Sequence, residues 1–263
     1  MNYGSTLAAA GVLSSMHRLD VAAANLANAE TVAFKPDTVV TMARMPERGT
    51  AAVPGVEPKW ILEKLGGGVA IAPTRPDLRQ GAIKTTTRAL DVALDGNGFM
   101  AVRDANGRLA FTRDGRLDLD TQGRLVMAVG GRPLLDRNGQ PIQLDPARPV
   151  VIDESGTITQ GEREVAQLAI MDVPATALHK VGDGLWSLDA SALPRAAGRD
   201  PLQALPPAPA RLMQAALEQS TVDPVTQLVD VMKATRAFQA GTEMLRQNDA
   251  TTRRSIEAFG RFA

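Results

Sequence analysis

Residues 90–139 read LDVALDGNGFMAVRDANGRLAFTRDGRLDLDTQGRLVMAVGGRPLLDRNG, and the punctuation of this stretch decides the fold. Short β-prone runs alternate with Asp95-Gly96, Asn106-Gly107, Asp114-Gly115, Gln122-Gly123, Gly130-Gly131 and Asn138-Gly139. Such dipeptides tolerate the positive φ that tight hairpin turns demand. Strands are therefore expected at Leu90–Leu94, Phe99–Arg103, Arg108–Thr112, Arg116–Leu119, Arg124–Ala128 and Arg132–Leu135, with a further one over Val165–Val173.

Outward from this region the chain turns helical at both ends. Ala9, Val12, Met16, Leu19, Ala23 and Leu26 recur at alternating steps of three and four, the period of a coiled-coil seam. A helix over residues 4–29 would be about 39 Å long, too long to cover a small domain alone. At the other end, Asp223-Pro224 supplies an N-cap acceptor and a first helical residue that needs no N–H. Leu228, Val231, Thr235, Phe238, Thr242, Leu245, Asp249, Thr252, Ile256 and Phe259 then keep the spacing. Thr235, Thr242, Asp249 and Thr252 weaken that seam, because each would lose water without an assured partner. Periodicity alone fits an amphipathic helix covering a globular core equally well.

Pro46–Pro76, with Gly66-Gly67-Gly68, and Pro194–Pro209 have the composition of connectors. The expected class is α+β, with N- and C-terminal helices paired as a coiled-coil-like layer (residues 1–35 and 212–263). Connectors span 36–88 and 194–211, and a central all-β domain of short antiparallel strands spans 89–193.

Composition narrows the chemistry. Charge is balanced overall, with 29 basic and 29 acidic residues, and also locally. No stripe of lysine and arginine is available to release phosphate counterions, so no nucleic-acid partner is expected. Cysteine is absent, which excludes disulfides and thiolate metal sites. The two histidines are His17, on the expected N-terminal helix, and His179, in a loop-like stretch; no metal or cofactor site is expected from them. The N-terminal apolar stretch is broken by Gly4, Ser5, Thr6, Gly11, Ser14 and Ser15, so neither a cleaved signal peptide nor membrane insertion is expected.

Asp95-Gly-Asn-Gly, Asp104-Ala-Asn-Gly and Asp136-Arg-Asn-Gly have the look of calcium loops, but none carries a glutamate at the twelfth loop position, and hairpin turns explain them better. Asp114, Asp118 and Asp120 are candidates for a glycosidase-like acid and base pair. Asp118 and Asp120 alternate with Leu117 and Leu119, the signature of a strand with a solvated face, so no catalytic residue is assigned. Only 3% of residues are aromatic, thin for a catalytic pocket; Trp60 and Trp186 are read as core.

Three segments, in order, resemble the flagellar basal-body rod and hook family, most closely its FlgG and FlgF type rod proteins. They are Ala24-Asn-Leu-Ala-Asn-Ala-Glu-Thr-Val-Ala-Phe34-Lys35, then Leu90–Phe99 with Phe111-Thr-Arg-Asp-Gly115 and Gly123–Val126, and finally Ala216-Leu-Glu-Gln-Ser-Thr-Val-Asp223 with Arg236-Ala-Phe238. Ala33 stands where the family has glycine, Met100 replaces a second aromatic, and Thr221 replaces asparagine. The resemblance implies a subunit exported by the flagellar type III apparatus without a cleaved signal peptide. Its paired terminal helices would form the inner tube of the rod, with the β domain facing outward. Implied partners are further copies in a helical tube and other rod and hook proteins, at the basal body. Leu19, Asn25, Leu26, Asn28, Phe34, Leu217, Glu218, Val222, Leu228, Arg236, Phe238 and Leu245 are the residues expected to pack subunits. Alanine resists positive φ, so a different turn is expected at Ala33. Two other readings stand beside this one: a secreted enzyme acting on cell-wall glycan, and a monomeric β-domain binding module whose helices merely cover its core.

Overall fold

A computed structural model describes residues 3–43, 68–188, 202 and 205–260. Trp60, most of the first expected connector and much of the second lie outside them, as do the side chains of Ile256 and Phe259. The architecture is α+β, with a helix at each end and a β-rich middle of short antiparallel strands. The chain divides into two compact units, residues 1–29, 36–77 and 222–263, and residues 30–35 and 78–221.

The first unit holds α1 (Tyr3–Ala27) and α2 (Pro224–Gly260). Among the described residues it also holds four short strands, β1 (Asp37–Thr38), β2 (Thr41–Ala43), β3 (Val69–Ile71) and β4 (Arg75–Pro76), paired β1 with β4 and β2 with β3. α2 begins where Asp223-Pro224 predicts. The Asp223 carboxylate accepts the Val225 N–H at 3.1 Å and the Thr226 hydroxyl, satisfying a donor that the first helical turn leaves open.

Among the described residues the second unit is built of β-strands, with a 3-10 turn at Ala175–Ala177. Its strands are β5 (Ile83–Thr85), β6 (Val92–Asp95), β7 (Phe99–Arg103), β8 (Leu109–Thr112), β9 (Leu117–Leu119), β10 (Leu125–Met127) and β11 (Val151–Ile152). They continue with β12 (Thr157–Gln160), β13 (Arg163–Gln167), β14 (Ile170–Met171), β15 (Leu178–Gly182), β16 (Leu185–Leu188), β17 (Arg211–Gln214) and β18 (Ala216–Glu218). The largest sheet runs β14-β7-β8-β16-β15, and both of its faces are covered. Side chains alternate across a strand, so on β7 Met100 and Val102 enter one apolar cluster with Leu94, Leu117, Leu125 and Leu134. Phe99 and Ala101 enter another with Phe111, Trp186 and Leu205. Trp186 meets Phe99 edge-on, with ring centroids 6.0 Å apart.

Several sequence expectations need correction. Arg132–Leu135 makes isolated bridges through Pro133, Leu134 and Leu135 in place of a continuous strand, because Pro133 has no N–H to donate. Val165–Val173 divides into β13 and β14. His179 lies in β15, an edge strand, and not in a loop. The expected helical segment from residue 212 is also displaced: Arg211–Glu218 forms β17 and β18, paired with β6 and β5. Its Leu, Met, Gln, Ala and Glu favour helices, but burial of Leu212 and Ala216 against those partners outweighs propensities worth a few tenths of a kcal/mol each. Ala215, at φ +55°, makes the break between the two strands.

Four turns share one geometry, at Asp104, Asp120, Asp136 and Asp153. In each, the Asp Oδ1 accepts backbone N–H groups from the residues two and four positions on, at 2.7–2.9 Å. The glycine three positions on (Gly107, Gly123, Gly139, Gly156) donates to the Asp carbonyl and sits at φ between +74° and +84°. A left-handed residue after a tight turn explains the Asp-x-x-Gly spelling, and the carboxylate oxygens are already engaged by N–H groups.

These carboxylates make a pH prediction. Asp104 and Asp120 are held below the usual carboxylate range first by the N–H groups of Arg108 and Arg124, and Asp153 first by the Ser155 hydroxyl. Asp223 is lowered first by the Thr226 hydroxyl. A lowered folded pKa gives stability that is complete above the unfolded value, near 3.9, and lost as pH falls through the folded values. The urea midpoint is expected to be flat from pH 7 to about pH 5 and to decline below about pH 4. A midpoint unchanged down to pH 3 would contradict this.

Candidate functional site

In the first unit α1 and α2 run antiparallel and in close contact. Asn25 Nδ2 lies 3.5 Å from Gln227 Oε1 near one end. Further along, a Cβ at Gly241 would stand 2.7 Å from Val12 Cγ2, so glycine permits the close approach of the helices there. The buried positions are small or polar: Ser14, Ala22, Asn25 and Ala234. Asn25 is clamped to the backbone of Asp37 by donating to its carbonyl at 2.9 Å and accepting its N–H at 3.0 Å. Two clefts open along the helices. One, of about 530 Å³, is lined by polar side chains including Arg18, Asn25, Asp230 and Lys233; the other, of about 410 Å³, by Leu7, Ala8, Gly11, Ala237, Gly241 and Met244 among others.

The periodicity misassigns part of the buried face. Met16 (49% exposed) and Leu228 (51%), placed on the seams, point away from the helix pair. Phe238 and Leu245 are half-buried, Arg236 is exposed, and Val222 is buried beside the start of α2. On α1, Leu19 and Leu26 are half-buried, while Asn28 returns its amide to the Ala24 carbonyl at 2.8 Å and so closes the helix end. The seam threonines do find partners: Thr235 donates to the Val231 carbonyl, Thr242 to Gln239 and Thr252 to Asn248, each at 2.8–2.9 Å. These three threonines are satisfied within the helix, so they do not account for any instability of it.

In the second unit three motif segments that the sequence presents separately converge on Glu218. Its Oε1 lies 2.6 Å from Lys35 Nζ and accepts the Gly81 N–H at 2.7 Å; its Oε2 accepts Arg113 Nε at 2.9 Å. Lys35 and Glu218 side chains are fully buried and Arg113 is 3% exposed. Lys35 also donates to the Arg79 carbonyl, and Arg113 to Gly96 O at 2.8 Å while lying over the Phe99 ring. Glu218, expected at a subunit contact, is thus wholly inside its own chain. Phe34 is half-buried, with Lys180 Nζ 4.6 Å from its ring centroid, and Leu217 pairs in β18 opposite Lys84. Sequence reading misses this cluster, although the basic residue of Phe-Lys, the arginine of Thr-Arg-Asp-Gly and the glutamate of Leu-Glu were its visible signal.

Ala33 corrects another expectation. It adopts φ +53° after all, and its N–H donates to Glu218 O at 2.8 Å. Strain of about 1–2 kcal/mol is accepted to keep the turn. Thr221, in the family's asparagine position, donates its N–H to Phe34 O, but its buried hydroxyl has no hydrogen-bond partner among the described residues.

The carboxylates weighed as catalytic are tied to arginines. Asp114 pairs with Arg116 at 2.6 Å, Asp118 with Arg88 at 3.7 Å and Asp120 with Arg124 at 2.6 Å. Asp120 is held below the usual carboxylate range first by the Arg124 N–H, whereas a general acid needs its proton held at neutral pH.

Residues 93–160 match the family model described as the flagellar hook protein FlgE/F/G D1 domain, and residues 213–257 match that of the flagellar basal body rod FlgEFG protein C-terminal. The chain is 28% identical over 247 residues to the flagellar basal-body rod protein FlgF of Caulobacter vibrioides, covering 92% of both chains. It is 30% identical over 115 residues to the flagellar basal-body rod protein FlgG of Borreliella burgdorferi, covering 41% of this chain and 42% of that one. With the flagellar hook protein FlgE of Escherichia coli it shares 32% over 107 residues, 41% of this chain and 23% of the relative. The motifs that meet at Glu218, the two terminal helices and these matches lead to one conclusion: the chain is a structural flagellar protein similar to those of the basal-body rod and hook family.

Proposed function

We propose that this structural subunit polymerises as an axial component of the rod between motor and hook, where it transmits torque and performs no catalysis. In this reading α1 and α2 of many copies pack in a coiled-coil-like manner into the inner tubular layer. Its partners are further copies and other rod and hook proteins, and it reaches the basal body through the flagellar type III apparatus without a cleaved signal peptide. The observation that carries the reading is the outer surface of the helices. Leu13, Met16, Val225, Leu228, Val229, Met232 and Met244 are all between 40% and 71% exposed. These seven exposed apolar side chains on two helices are a surface that assembly would cover.

Deleting residues 1–35 or 224–263 is expected to abolish rod completion, read by electron microscopy of isolated basal bodies and by swimming. A strain with either deletion that still builds complete flagella and swims normally would sink the proposal.

A further inference from the structure

Residues 30–35 are the part of the chain before Leu78 that belongs to the β unit. They form bends and turns and lie in no strand, and neither apolar cluster of the unit includes Ala33 or Phe34. Polar contacts hold the segment instead. Ala33 donates its N–H to Glu218 O at 2.8 Å, and Thr221 donates its own to Phe34 O at 3.3 Å. Lys35 reaches inward to Glu218 and to the Arg79 carbonyl. Lys180 reaches back, donating to Lys35 O at 2.6 Å with its Nζ 4.6 Å from the Phe34 ring centroid. Two costs fall on these same few residues. Ala33 is held at φ +53°, and the buried Thr221 hydroxyl has no hydrogen-bond partner among the described residues.

We propose that residues 30–35 are a latched strap, a segment that opens and closes by itself on an otherwise folded β unit, with Lys35 as the latch. The two cationic partners of Glu218 make this possible. When Lys35 leaves, Glu218 Oε2 keeps Arg113 Nε at 2.9 Å and Oε1 keeps the Gly81 N–H at 2.7 Å. The carboxylate is not stranded, and Lys35 regains water. Loss of the carboxylate is the opposite case, since both cations then stay inside without it. The attraction between Lys35 and Glu218 is largely offset by the water that each gives up, and the closed strap carries strain as well. Its closure is therefore marginal, and segments with few buried apolar contacts are the ones that open below the global transition. Closed, the strap fixes where the chain enters the β unit, with Ala33 and Phe34 bonded to Glu218 and Thr221. Open, it leaves residues 78–221 folded and that entry free. The device belongs to a single copy and needs no assembly.

The chain has six lysines, so acetylation by an amine-reactive ester, read by peptide mass spectrometry, follows Lys35 separately. In the full-length protein Lys35 is expected to react far more slowly than the exposed Lys84 and Lys233. Its rate is expected to stay unchanged in low urea, because opening the strap uncovers little surface. A Lys35 rate that rises with urea in step with unfolding of the β unit would overturn the proposal, since strap and strands would then open together. Ala33→Gly relieves the turn and is expected to slow Lys35 labelling about threefold to tenfold. An unchanged rate would count against a strained strap. Lys35→Met removes the latch, and amide exchange at Ala33 and Thr221 is then expected to quicken about tenfold or more, with β7 and β8 protected as before. Unchanged exchange at Ala33 would overturn Lys35 as the latch. Equal loss of protection in β7 and β8 would make Lys35 part of the core and overturn the strap itself.

Discussion

Replacing Glu218 with alanine is expected to cost about 3–5 kcal/mol of stability in the β unit, because two buried cations are left without their counter-charge. Lys35 has no exposed side-chain surface and Arg113 almost none, so water cannot replace the lost carboxylate without opening the structure. The Gly81 N–H loses its acceptor as well, a further buried donor left unpaired. The ion pairs alone are weak evidence of stabilisation, since bringing the charges out of water offsets most of their attraction. Removing one partner is the asymmetric case, and there the whole desolvation cost is exposed. Urea denaturation of Glu218→Ala followed by a signal from Trp186 measures it. Lys35→Met combined with Glu218→Ala is expected to lose less than the sum of the separate losses, the coupling expected of groups in contact. A loss below 1 kcal/mol for Glu218→Ala would show that the cluster is not held as described.

Gly115→Ala is expected to be comparably damaging, for a reason that sequence alone misstates. Asp114-Gly115 reads as a turn that needs positive φ, but Gly115 is not among the residues with positive φ. A Cβ there would lie 1.5 Å from Val92 O, whose own N–H donates to Gly115 O at 3.0 Å. The obstacle is the backbone of fully buried Val92 and has no flexible end to move aside, so the cost falls at or above the upper end of about 1–3 kcal/mol seen for overpacked cores. Gly107→Ala is the control: nothing lies within 4 Å of its Cβ position, and only the φ of +74° is unfavourable, worth about 1–2 kcal/mol. Urea midpoints of the two variants should differ in that order. Equal midpoints would mean that conformation, not close approach, governs both sites.

These two positions illustrate what the sequence carried and what it did not. Phe99–Arg103 matched its strand to the residue because a run buried on both faces, bounded by glycine, has only one sensible reading. Asp104 and Asp136 were legible as turns because the side chain closes its own loop within four residues, whereas Asp120, read as the solvated face of a strand, closes the same kind of turn. Interactions settled over long sequence distances were not legible. Arg211–Glu218 is spelled in helix formers and becomes two strands only because β5 and β6 await it. Glu218 meets Lys35 across 183 positions of sequence. The helices were legible as helices, and α2 as far as its N-cap, but not in which face they bury. Small residues such as Ala22 and Gly241 lie where the helices approach, and large ones such as Leu13 and Met232 are left outside. Hydrophobic periodicity marks the large residues and assumes that they point inward, which fails here because small residues occupy the close helix contact and large ones lie exposed.

The same exposed faces underlie the proposal that other subunits complete α1 and α2. Amide hydrogen exchange in the purified monomer and in the assembled rod tests it most directly, because exchange reads local opening. The expected result is rapid exchange along both helices in the monomer, slow exchange in β6, β7 and β8, and protection of the helices gained on assembly. Helices protected in the monomer as fully as those strands would contradict the account, and would describe instead a self-sufficient molecule whose helices need no neighbours.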